Sequence, residues 1–159
     1  MTTESPSGLA GLHSSVLAVL QELNVKLRPD ASGVVFAAYI NDDIQPNVIY
    51  DRRLNSPELR SRFLVHELCH VYLHPPRVVA RGGCAEEEPI VYEAAARICA
   101  EFGVNDYTSV MRDYGIELCP TEAHQEDAIR RIVIDVSAVL RDPARALLWV
   151  DDGLTVEHD

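Results

Sequence analysis

The sequence predicts an α+β fold. It is read as one domain in which a motif-bearing helix lies beside a small antiparallel or mixed sheet. Three observations predict it. Residues 57–73 form an apolar stretch with helix start and stop signals and contain His66-Glu67-Leu68-Cys69-His70, the pattern H-E-x-x-H. Two short strand-like runs, 34–40 and 47–50, precede it. Stretches with apolar residues at helical spacing flank both.

The motif helix is the best-marked element. Ser56 suits the N-cap, Pro57 the first helical position and Glu58 the positive end of the helix dipole. Pro75-Pro76 ends it, because the residue before a proline avoids the helical region. Leu59, Phe63, Leu64, Val65, Leu68, Cys69, Val71, Tyr72 and Leu73 make it apolar on nearly every side, so it belongs in a core. Residues four apart on a helix share a face. His66 and His70 therefore stand where both can bind one Zn²⁺, and Glu67 lies beside them where it can take a proton from water. Two imidazoles and a carboxylate buried among apolar residues are costly unless something satisfies them, and a metal would.

The other elements follow in order. Residues 1–7 read as a lead-in without the basic and apolar regions of a signal peptide. Leu9, Leu12, Val16, Val19, Leu20 and Leu23 predict an amphipathic helix over 8–24. Residues 28–33 read as a turn. The runs 34–40 and 47–50 form a hairpin around Asn41-Asp42-Asp43 and feed into the motif helix. After a loop over 75–85, the acidic start at Glu86, Glu87 and Glu88 opens an alanine-rich helix that Gly103 ends. A short helix capped by Asn105 carries Tyr107 and Met111. A longer one capped by Thr121 carries a stripe from Ala128 to Leu140, and Asp142-Pro143 starts a last short helix that runs through Trp149. The domain spans 8–150, followed by an acidic tail over 151–159.

Composition narrows the functions. A length of 159 residues suits one domain with a sizeable core. The net charge of −11 disfavours direct contact with a phosphate backbone and suits a basic protein partner or simple solubility. No apolar run is long enough to span a bilayer, so a cytoplasmic location without membrane contact is expected. The four cysteines form no C-x-x-C pair, which argues against a cysteine zinc site.

A catalytic zinc takes three protein ligands and keeps a position open for water. His74 extends the histidine stripe, but three ligands on successive turns would span roughly 12 Å. His124 lies far along the chain. Glu86, Glu87 and Glu88 are expected at a helix start without any metal. Glu93 sits mid-helix among Val91, Ala94, Ala95 and Ala96, on a face expected to be buried, and is the expected third ligand. Its alternative partner is Arg97, four residues on.

The stretch His66–His74, followed by Tyr92-Glu93-Ala94-Ala95-Ala96-Arg97-Ile98-Cys99-Ala100, resembles the ImmA/IrrE family of metallopeptidases and is similar to the metallopeptidase domain of ArdC antirestriction proteins. The resemblance covers about residues 34–103. It implies a gluzincin-like (zincin-like) domain with His66, His70 and Glu93 as zinc ligands and Glu67 as general base. It implies a zinc endopeptidase acting in a bacterial or phage regulatory circuit on a protein substrate such as a transcription repressor. The chain departs from the family pattern at Cys69, where a small residue is usual, and lacks the asparagine that commonly follows the glutamate–alanine pair. Candidate donors to a developing oxyanion are Tyr72, Tyr107, Tyr114, His74 and the arginines of 77–81. The rival expectation is a non-catalytic, zinc-stabilised interaction module, of toxin or antirestriction type, that binds a basic partner.

Overall fold

A computed structural model describes residues 8–30, 36–40, 45–54, 56–76 and 87–150. The fold is α+β, with helices around a small mixed sheet. The sheet has three strands, β1 (Lys26–Asp30), β2 (Ala37–Ile40) and β3 (Asn47–Asp51), in the order β1-β3-β2. β3 is central, antiparallel to β2 and parallel to β1. The antiparallel pair matches the expected hairpin. Its turn, and the start of the expected strand at 34 and 35, lie outside the described residues.

β1 corrects the first half of the expected turn at 28–33, residues 28–30; residues 31–33 lie outside the described residues. Only Leu27 of β1 is partly buried against the core, and Pro29 lies inside it, so it carries no strand signature. Proline is tolerated on an edge strand, where no second ladder needs its missing N–H. The pairing of Lys26 with Asn47 through Asp30 with Asp51 is fixed by partnership with β3 rather than by local pattern.

The motif helix, α2 (Pro57–Leu73), forms with the expected signals. The hydroxyl of Ser56 accepts from the N–H of Leu59 at 3.1 Å, and Pro57 opens the first turn. Every residue from Ser61 to Val71 except His70 is buried, which is why the helix needs neighbours on several sides. α1 (Gly8–Glu22) supplies one through Leu12, Val16, Val19 and Leu20. β2 packs against another side.

α3 (Glu87–Glu101) packs on α2, with Ala94 and Ala95 fully buried. Glu87 meets His74 and His70, Glu88 meets His70 and His66, and Tyr92 stacks near His66. Rising numbers on α3 meet falling numbers on α2, so the two helices run antiparallel. Gly103, at φ +85°, ends α3 in the left-handed region that glycine enters without strain.

α4 (Tyr107–Asp113) starts after Asp106 rather than Asn105. The Asp106 carboxylate does not cap it, because Arg62 of α2 takes both oxygens at 2.9 and 2.7 Å. α5 (Glu126–Arg141) follows a 3-10 turn whose cap is Glu122, in a reciprocal box with Gln125, rather than Thr121. Its stripe of Ile129, Ile132, Val136, Val139 and Leu140 closes the core against α3 and α1. A 3-10 turn at Pro143–Ala146 brings Trp149 onto Tyr72, ring centroids 5.1 Å apart. Residues 1–7 and 151–159, read as lead-in and tail, lie outside the described residues.

Candidate metal centre

Helical spacing brings His66 and His70 together. Their Nε2 atoms are 3.2 Å apart and their rings meet edge to face. The third member is Glu88, in the first turn of α3. Its carboxylate stands 2.6 Å from His70 Nε2 and 3.3 Å from His66 Nε2. One ligand atom from each of the three lies within 4.8 Å of the others, a set that can hold a metal ion.

The distances test the fit. Zinc–nitrogen bonds of about 2.0–2.1 Å at tetrahedral angles separate two donor atoms by roughly 3.3–3.4 Å. The 3.2 Å between the two imidazole nitrogens and the 3.3 Å between His66 Nε2 and Glu88 Oε2 match that separation, while the other oxygen, Oε1, stands closer to His70 Nε2, at 2.6 Å, in a charge-assisted hydrogen bond. Two imidazole nitrogens and one carboxylate oxygen are also the donor chemistry that such a metal prefers.

Glu93, the expected third ligand, stands elsewhere. Its carboxylate accepts from Arg97 Nε at 2.8 Å, the i,i+4 pair that was the alternative, and its side chain is 40% exposed. The reason is geometric. Five residues separate Glu88 from Glu93, which turns the side chain by about 140° around the helix and moves it about 7.5 Å along it. Arg97 in turn reaches both oxygens of Glu126 at 2.7 and 2.9 Å, so Glu93 belongs to a network joining α3 to α5.

Glu67 is buried beside the cluster, with an Oε2 3.8 Å from His66 Nε2. Burial raises its pKa, opposed by the charges of His66 and His70 and by a hydrogen bond from the main-chain N–H of Tyr39, and reinforced by Glu88. Burial pulls His70 down, but hydrogen bonding to Glu88, the charges of Glu67 and Glu88 and the contact with Glu87 outweigh it and carry the imidazole up to about 9. Hydrogen bonds from His66 and His70 hold the Glu88 carboxyl well below the usual range. Tyr92 lies with its ring 4.2 Å from that of His66, and burial together with Glu88 and Glu67 pushes its phenol up to about 12.

Behind this cluster stands another contact set. Glu87 Oε1 lies 3.1 Å from His70 Nδ1, and His74 Nε2 lies 3.0 and 2.9 Å from the two oxygens of Glu87. His66 has no counterpart: its Nδ1 is buried without a hydrogen-bond partner among the described residues.

The remaining candidates separate clearly. Tyr72 donates to Asp135 on the far side of α2. The Tyr107 hydroxyl is buried in the core without a hydrogen-bond partner among the described residues. Tyr114 packs edge-on to Phe36 and Phe63. His124 is exposed beside Glu122. Cys69 and Cys99 are buried thiols with pKa values raised by burial, which makes them packing residues rather than nucleophiles. Arg77 and Arg81 lie outside the described residues. Tyr92, Glu87 and Glu88, to which the sequence reading gives no site role, stand against the two histidines. The signal for Glu87 and Glu88 was the chain reversal after Pro75-Pro76, since an antiparallel return brings the first turn of α3 against the last turns of α2.

Comparison with protein-family models, with curated proteins and with solved structures found no match. Fold and site thus define the class: an α+β protein with a His/His/Glu metal-type cluster on two packed helices and a buried glutamate beside it. No helix among the described residues is long and apolar enough to cross a membrane.

Proposed function

We propose that this protein is a zinc-dependent endopeptidase of zincin-like design, with His66, His70 and Glu88 holding the ion and Glu67 as general base. The observation that carries the reading is a set of three mutually close ligand atoms, on His66, His70 and Glu88, with the buried carboxylate of Glu67 3.8 Å from His66 Nε2. A bound zinc would lower the pKa of water toward about 7 and polarise a carbonyl.

The chain's own groups supply the rest. Glu67 takes the proton from the attacking water and passes it to the leaving amine, and its raised pKa suits a group that must both accept and return a proton. The Tyr39 N–H keeps its carboxylate oriented. Tyr92, whose ring lies 4.2 Å from that of His66, is the aromatic residue packed on the cluster. The edge strand β2 can pair with an extended substrate segment. With the net charge of −11, the substrate class that fits is a basic, DNA-binding regulatory protein in the cytoplasm.

Glu67→Gln tests the reading. It spares the three ligands and removes the base. The variant should fold, keep its zinc and lose cleavage of a regulatory substrate by at least about a hundredfold. Equal activity of the variant and the wild type, with loss only in His66 or His70 variants, would replace catalysis by a metal-stabilised interaction module.

A further inference from the structure

We propose that Glu87, braced by His74, is the positioning residue that fixes His70 for metal binding, and that the Nδ1 edge of His66 has no such brace. The inference rests on the metal-centre part of the proposed function and is independent of peptidase activity.

An imidazole can present Nε2 to a metal only if its remaining proton sits on Nδ1. A carboxylate facing Nδ1 selects that arrangement and sets the plane of the ring. Glu87 Oε1 stands 3.1 Å from His70 Nδ1, on the opposite edge of the ring from Glu88. His70 Nδ1–H therefore donates to Glu87 while Nε2 faces the cluster.

Glu87 is itself fixed. Both of its oxygens lie within 3.0 Å of His74 Nε2, and its side chain is 15% exposed. A carboxylate that served only the helix dipole would need neither histidine and would stand in water. His74 is fixed in its turn at the end of α2, where its N–H reaches the carbonyl of His70 and its carbonyl accepts from the Tyr39 hydroxyl at 2.9 Å. The line His74–Glu87–His70 thus runs from the helix terminus into the centre.

The contrast with His66 gives the brace its consequence. The Nδ1 of His66 meets no acceptor among the described residues, and its ring rests on Tyr92. A metal on His66 Nε2 would leave a buried Nδ1–H unsatisfied, a cost on the order of 1–3 kcal/mol. His70 carries no such cost. It is the preorganised ligand, and a change at Glu87 reaches the metal through it.

Zinc alone, titrated into the full chain by calorimetry, tests this without any substrate. Glu87→Ala should weaken zinc binding by roughly 10–100-fold. Glu87→Gln keeps an oxygen that can accept from Nδ1–H and should recover most of the affinity. His74→Phe keeps the ring bulk and the main-chain bond to the His70 carbonyl, removes the imidazole nitrogen that meets Glu87, and should show a smaller loss. In zinc-loaded protein labelled with ¹⁵N-histidine, the His70 Nδ1–H signal should be protected from exchange in wild type and Glu87→Gln and lost in Glu87→Ala. Glu87→Ala with wild-type zinc affinity and a protected signal overturns the brace and leaves the metal centre standing. Wild-type protein that takes up no zinc overturns both. If Glu87→Ala does not fold by circular dichroism, His74→Phe decides, and an unchanged affinity with an unchanged signal overturns the proposal.

Discussion

The hydroxyl of Tyr39 donates to the main-chain carbonyl of His74 at 2.9 Å and ties the edge strand β2 to the end of the motif helix. The same residue offers its main-chain N–H to Glu67. One residue of a four-residue strand thus secures both the helix terminus and the buried carboxylate. The side-chain bond also occupies a carbonyl that the helix leaves without an internal partner.

Tyr39→Phe separates these two contacts, because it removes the hydroxyl and keeps the N–H. Loss of one such bond costs about 0.5–1.5 kcal/mol, a fall in Tm of roughly 2–4 °C for each kcal/mol in a chain of this size. Zinc affinity should stay within about twofold, since no ligand is touched; this margin is small beside the tenfold that 1.4 kcal/mol represents. Thermal melting with and without zinc checks it. An unchanged Tm would mean that the hydroxyl bond contributes nothing to the attachment of β2.

The assignment of the third ligand gives a paired prediction. Glu88→Gln should lower zinc content after dialysis well below one equivalent, while Glu93→Gln should leave it at the wild-type level. Glu93 touches Arg97 rather than the histidines, and that pair is partly exposed. Its loss should cost no more than about 1 kcal/mol of stability. Zinc analysis of the two purified variants decides between the two glutamates, and loss of zinc from Glu93→Gln would return the ligand role to it.

The placement of these glutamates depends on packing between helices, which local sequence signals do not carry. The motif helix was legible to the residue at its start, because Ser56, Pro57 and Glu58 are local signals of one helix end. The spacing of His66 and His70 needed only helical geometry. The third ligand depends on how α3 sits on α2. Burial was expected at Glu93 because its neighbours are alanines. Ala94 and Ala95 are indeed buried, while Glu93 lies at the rim of that face, within reach of Arg97. Glu87 and Glu88 were credited to the helix dipole, and the antiparallel return gives them histidine partners as well. β1 was illegible for a similar reason. Nothing in Lys26–Asp30 alternates, and the strand exists because β3 lies alongside.

His13 offers a test of stability against pH. It lies in α1 among the core residues, with Nε2 buried and without a hydrogen-bond partner among the described residues. Burial lowers its pKa below 6.5, Arg60 lowers it further, and Glu58 acts weakly in the opposite direction. The folded protein therefore favours the neutral ring, and the unfolded chain binds the proton more readily. Stability tied to this group is fully present above about pH 6.5 and is lost as the pH falls from there through the folded-state value. The sign is opposite to that of His70, whose raised pKa makes protonation favour the fold. His13→Gln cannot take up the proton, so its unfolding free energy should fall less than that of wild type between pH 7.5 and 5.5. Urea unfolding at both values, compared as a double difference, isolates the effect because His70 titrates in both proteins. An equal loss in the two proteins would show that His13 is protonated as readily in the fold as in the unfolded chain.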